Sequence, residues 1–216
     1  MFRIFLLLTT LLPPLHAALI YDNSASDSGD TIFFSTGPYT GIGDQVTMGG
    51  TDRRSTTASV QFYNAGSAGT FDATLRFYGI GVPIGAPLFV DFLVAGINAP
   101  ELDIFTVSFD TGSVIVPEEF VFLVSVSNVA SGLDLGLNLY RAPVTTGDSS
   151  TSFVIVKTSS FSQLAAGTDS NLFFQLQAED VPSLTGSAPQ AEVPEPSSVL
   201  LSALGIVSLA GIRRRM

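Results

Sequence analysis

The 216-residue chain contains no cysteine and no tryptophan, and its one histidine is His16. Lacking cysteine, it has neither disulfides nor a thiolate nucleophile. Once His16 is assigned to the leader described below, no imidazole remains for a Ser-His-Asp or Cys-His pair, for His-ligated zinc or for haem. Without tryptophan there is no indole platform to stack a sugar ring. Positive charge is scarce: 9 Lys and Arg stand against 19 Asp and Glu, and Lys157 is the only lysine. No repeat of fixed period is visible, and no central segment sustains helical periodicity.

Apolar side chains are abundant, at 46% of the chain, with 17 Phe against 5 Tyr. That supply excludes wholesale disorder, because there is ample surface to bury. The N-terminus reads as a secretory signal peptide over residues 1–17. Arg3 supplies the charge, residues 4–12 the apolar stretch, and Pro13 and Pro14 break it before Ala17. Cleavage between Ala17 and Ala18 is expected, sending the chain through the Sec translocon. Setting aside Arg3, Glu195 and Arg213 to Arg215 leaves five basic and eighteen acidic residues, a net charge near −13. Such a surface excludes nucleic acid as a direct partner, and polyanions too unless cations bridge them.

Residues 18–180 read as one all-β domain, an antiparallel β-sandwich or jelly roll of about ten short strands separated by turn residues. Strands are expected at 18–21, 31–35, 58–63, 71–78, 88–94, 102–109, 120–126, 133–139, 153–156 and 172–177. The clearest alternation turns Phe71, Ala73, Leu75 and Phe77 inward and Asp72, Thr74, Arg76 and Tyr78 outward. Residues 22–30 and 41–44 are expected as loop and turn, residues 64–69 as a hairpin connection, and residues 162–166 as one helical turn. The run 88–94 is apolar on both sides, which predicts a central strand. Residues 181–193 form a flexible spacer.

Few side chains in this domain suggest chemistry. Asp22, Asn23, Asp27 and Asp30 crowd one stretch and could hold Ca²⁺ with hard oxygens; the plainer reading is a solvated loop of Asx turns. Glu101 with Asp103, and Glu118 with Glu119, are the tight acidic pairs that a glycosidase would need. Their place beside Pro100 and Pro117 fits solvated strand entries as well. Lys157 lacks the Ser-x-x-Lys spacing to Ser152, and Arg53-Arg54 reads as an exposed turn. The glycines at 79, 81 and 85 fail the dinucleotide pattern and precede Pro83 where a helix would begin. Tyr39, Tyr63, Tyr78 and Tyr140 are the aromatics expected to face outward.

The last residues are the most informative. Pro194-Glu195-Pro196 is followed by the uncharged apolar stretch 197–212 and by Arg213-Arg214-Arg215. As a helix that stretch spans about 24 Å, short against a hydrocarbon core of roughly 30 Å. It can lodge in the inner membrane with tilt and snorkelling arginines, and the arginines belong on the cytoplasmic side.

This tail resembles the PEP-CTERM sorting signal of Gram-negative bacteria. The resemblance implies an exosortase, a membrane cysteine peptidase, as partner. Pro194, Glu195 and Pro196 would be its recognition box, and Arg213, Arg214 and Arg215 the membrane stop. The preceding domain resembles the choice-of-anchor domains of bacterial surface proteins, on Tyr21-Asp22-Asn23, the acidic loop, Phe62-Tyr63-Asn64 and the strand from Phe71 to Tyr78. That family brings no catalytic residues and no cofactor. The expectation is a non-enzymatic cell-surface or extracellular-matrix protein, structural or adhesive, with Ca²⁺ bridging its acidic surface to extracellular polysaccharide. The alternative is a carbohydrate-binding or carbohydrate-active jelly roll displayed by the same tail.

Overall fold

The computed structural model describes residues 17–37, 39–51, 53–80, 87–112, 114–141, 144–157, 160–165 and 170–179. The chain divides into two units between Val181 and Pro182, and all described residues belong to the first. They form thirteen strands: β1 (Ala18–Asp22), β2 (Asp27–Phe33), β3 (Tyr39–Thr47), β4 (Arg54–Asn64), β5 (Gly69–Tyr78), β6 (Phe92–Ala99) and β7 (Asp103–Asp110). There follow β8 (Glu119–Ser127), β9 (Leu135–Arg141), β10 (Asp148–Lys157), β11 (Ser160–Ala165), β12 (Ser170–Leu172) and β13 (Phe174–Glu179).

Two antiparallel sheets pack as a sandwich. One runs β1-β13-β4-β9-β12, with β2 added to β9 and β7 to β4; the other runs β11-β10-β3-β8-β5-β6. Alternation explains the packing. Ala58, Val60 and Phe62 of β4 and Phe71, Ala73, Leu75 and Phe77 of β5 all point inward and are 1% exposed or less. They meet Phe120, Phe122 and Val124 of β8, and Phe174 and Leu176 of β13. Phe122 stacks on Phe174 across the sandwich at 4.1 Å between ring centroids, so a strand near the C-terminus closes the core.

Several sequence expectations are corrected. Residues 27–30 fall within strand β2 rather than a loop: β2 begins at Asp27, which lies opposite Tyr140, and an irregularity follows before pairing resumes at Thr31. Residues 41–44 are the middle of β3, whose glycines at 41 and 43 fit against β8 instead of making a turn. β4 and β5 belong to different sheets, so residues 64–69 are a crossover between layers rather than a hairpin. Asn64 holds it: its Nδ2 donates to Ser67 O and Pro100 O, and its Oδ1 accepts from Gly66 N. The run 88–94 is not a central strand. β6 starts at Phe92 and forms an edge of its sheet, leaving Val90 and Leu93 exposed. Residues 160–165 are strand β11, not a helical turn. The expected strand 172–177 is broken at Phe173, where the chain passes from pairing with β9 to pairing with β4.

Candidate functional site

Among the described residues, two gatherings of polar side chains stand out. The first lies on the outer face of the seven-stranded sheet. Asn138 and Tyr140 of β9 and Gln61 of β4 point outward, being out of phase with the buried Leu137, Leu139, Val60 and Phe62. The Asn138 amide and the Tyr140 hydroxyl both donate to Gln61 Oε1, at 3.0 and 2.8 Å, and Thr31 Oγ1 donates to Asn138 Oδ1 at 2.9 Å. Beside this network is a cleft of about 200 Å³ lined by Asp27, Gly29, Thr31, Tyr63, Ile104 and Asn138. Burial pushes the Tyr140 hydroxyl up, with the Asp27 carboxylate adding to it and the Gln61 hydrogen bond opposing it.

The four tyrosines do not make a platform. Tyr63 packs edge-on against Phe33, and Tyr140, though outward, is covered by Phe173. Tyr78 lies on the other sheet, in a small buried cluster with Val121, Leu123 and Val154. Tyr39 packs partly against the main core, with the Lys157 Nζ 5.4 Å from its ring centre.

The second place is between the sheets, where the inward row of β3 reads Ile42, Asp44, Val46. Asp44 is fully buried. Its Oδ1 accepts from Gln45 N at 2.8 Å, and the hydroxyls of Ser149 and Ser150 approach at 3.5 and 3.4 Å. The Leu172 backbone N–H also donates to the carboxylate. Asn23 completes that edge, donating from Nδ2 to Leu172 O at 3.0 Å. With its amide turned to suit its neighbours, Asn171 donates to Ser149 Oγ at 2.6 Å and Ser150 O at 3.0 Å. Two atoms here are left without a well-formed hydrogen bond, the Tyr21 hydroxyl and Asn23 Oδ1.

Burial holds the Asp44 carboxyl well above the usual carboxylate range, and its hydrogen bonds only partly oppose that. The Tyr21 hydroxyl is raised by burial first and by the Asp44 charge second, against the pull of Ser149. Sequence reading missed Asp44 because Gly41 and Gly43 look like turn residues. The signal that could have found it is the row Ile42-x-Asp44-x-Val46, a carboxylate in phase with two buried aliphatics.

The residues singled out for calcium are divided. Asp22 accepts from Gln175 Nε2 at 3.0 Å and Asn23 caps Leu172, both buried on β1 and the residue after it. Asp27 Oδ1 accepts from Gly29 N on the exposed start of β2, and Asp30 is exposed beyond it. Among the described residues no group of three or more His, Cys, Asp or Glu is placed to hold a metal ion. Glu101, Asp103, Glu118 and Glu119 are all exposed. Arg53 and Arg54 are half-buried rather than exposed, and Arg54 opens β4.

Ala17 is exposed and Ala18, the expected new N-terminus, opens β1. The segment 1–16, the spacer 181–193, Pro194 to Pro196, the apolar stretch and Arg213 to Arg215 lie outside the described residues. Among those described, no helix is long and apolar enough to cross a membrane.

Comparison with known proteins bears on this tail. Residues 192–215 match the PEP-CTERM protein-sorting motif. The match implies export, exosortase processing and sorting to the cell surface, for a chain whose described residues form a β-sandwich. No curated protein and no solved structure matches the chain.

Proposed function

We propose that the protein is a non-enzymatic surface or extracellular-matrix component. Its β-sandwich is the cargo, and its tail is both membrane hold and exosortase substrate. The observation that carries this is the ordered tail: box, apolar stretch and arginines all fall within the matched residues 192–215. Cleavage near Pro194 to Pro196 would then free a sandwich whose described strands run to Glu179. A structural or adhesive role is supported by the composition, which spends its aromatics on the core, and by carboxylate pairs that stand exposed at strand entries. The likeness to choice-of-anchor domains rests on the sequence features quoted above, and the two-sheet architecture is compatible with it. The carbohydrate-binding alternative draws on the cleft beside Tyr63, but the scattering of the tyrosines weighs against it.

Intact-mass spectrometry of the protein from its native cells tests this reading, in envelope and secreted fractions. The expected species begins near Ala18 and lacks the residues after the Pro194 to Pro196 box. Changing Glu195→Ala should leave the tail on and hold the chain in the envelope. An untreated envelope form that keeps Arg213 to Met216 throughout would reduce the tail to a plain anchor.

A further inference from the structure

Strand pairing places the exit of the chain and a group of exposed apolar side chains at the same end of the sandwich. β13 ends at Glu179, opposite Arg54 at the start of β4, and β1 enters alongside, Ala18 against Ala178. In the other sheet, β3 ends with Thr47 opposite Glu119, and β5 ends with Tyr78 opposite Val121. Only residues 48–53 join β3 to β4, so these strand ends belong to one end of the molecule. Ile80 follows Tyr78 by two residues and is 52% exposed. Leu88 N donates to Phe77 O at 2.7 Å, and Val90, two residues on, is 78% exposed. Ile115 bridges to Arg54 and is 57% exposed, and Leu19 sits opposite Gln177. Among the described residues, Leu102, Ile104 and Val129 are the exposed large apolar side chains of the far end, and Leu93 lies midway, opposite Thr74.

We propose that this end is a lipid-facing surface. Leu19, Ile80, Leu88, Val90 and Ile115 dip into the boundary layer of the bilayer that holds the tail. The inference rests on the tail being membrane-inserted. Eighteen positions separate Glu179 from Ser197. As a random coil, a chain of that length would average about 20–25 Å end to end, and in any conformation it reaches about 60 Å at most. On so short a leash the local concentration of the surface at the membrane is on the order of millimolar, so shallow contacts suffice. Apolar side chains on loops and strand ends suit that boundary, since their backbone stays in the hydrated layer. Asp110, Glu118, Glu119, Asp148 and Glu179 outnumber Arg53 and Arg54 at this end. The surface therefore fits zwitterionic headgroups and is repelled by anionic ones.

The absence of cysteine makes the test direct. Val90→Cys, Ile115→Cys and, as the far-end control, Leu102→Cys are each made in the full chain and labelled with an environment-sensitive fluorophore. The labelled chains are reconstituted in phosphatidylcholine vesicles carrying a lipid-borne quencher. All three sites are exposed, and unchanged unfolding temperatures verify the fold. The expected result is several-fold stronger quenching at 90 and 115 than at 102, reduced when anionic lipid is added. Equal quenching at the three sites, in chains that float with the vesicles, overturns the inference and leaves the tail reading standing. Shielding at 90 that rises with protein concentration and ignores the quencher assigns the surface to a second copy, and also overturns it. Chains that fail to float sink the membrane-held tail itself and this inference with it.

Discussion

Asp44 is a carboxylate set in a row of aliphatic side chains, and its cost depends on whether it is ionised. Its hydrogen bonds come from two backbone N–H groups and two distant hydroxyls, with no cation among the groups that shift it. Because burial raises its folded-state value above the unfolded one, its stabilising contribution is full below the unfolded value, about 3.9. It is lost as pH rises through the raised folded value. Asp72 and Asp91 act in the opposite window. The Gly96 N–H and then the Asn128 amide hold the Asp72 carboxyl down, and Arg76 does so for Asp91, so their contribution is lost as pH falls below that range. Thermal unfolding should therefore show a maximum in mildly acidic buffer and a decline toward neutral pH. Asp44→Asn keeps the shape, and the serine hydroxyls can rotate to accept from its new amide. The variant should unfold at a higher temperature than wild type at pH 7 and show little of the decline between pH 4 and pH 7. A decline that persists unchanged in Asp44→Asn would mean that another buried group drives it.

At the scale of elements, β3 and β8 illustrate both what was legible and what was not. β8 was readable as deeply buried, because residues 120–124 are apolar on both faces, and it does lie between β3 and β5. The same double-sided pattern at 88–94 misled, since an apolar run records available burial without saying which neighbour supplies it. There the chain makes an edge strand and leaves half the run at the surface. β3 was hidden by glycines that serve close approach. A Cβ on Gly43 would collide with Phe122 O and stand 2.9 Å from Leu123 Cα, both backbone atoms fixed by the ladder. Gly43→Ala should force β8 away and cost about 1–3 kcal/mol, a fall of several degrees in Tm for a domain of this size. Differential scanning calorimetry would detect it, and an unchanged Tm would show that the β3–β8 pair yields more easily than its geometry implies.

At the scale of the molecule, the first and last strands among the described residues are neighbours. β13 buries Phe174, Leu176 and Ala178 completely and pairs with both β1 and β4. A chain trimmed at the Pro-Glu-Pro box should unfold within about 2 °C of the untrimmed one, because a difference of 1 kcal/mol corresponds to only about 2–4 °C at this size. Removing β13 as well should abolish cooperative unfolding. A trimmed form that melts far lower would show that residues beyond Glu179 contribute to the sandwich.

The sequence alone determined the address and the class of this protein. A sorting signal is read as a linear string of box, apolar stretch and arginines, and alternation writes the inward rows of β4, β5 and β9 directly into residue order. Which strands pair, which stand at the edges, and where the ends of the chain emerge were decided only by tertiary structure. Those outcomes depend on contacts between residues far apart in sequence, such as Phe122 with Phe174 and Asp44 with Leu172. Local period gives a side chain its face and leaves its neighbour open, and so Asp44 became a buried group and Val90 an exposed one.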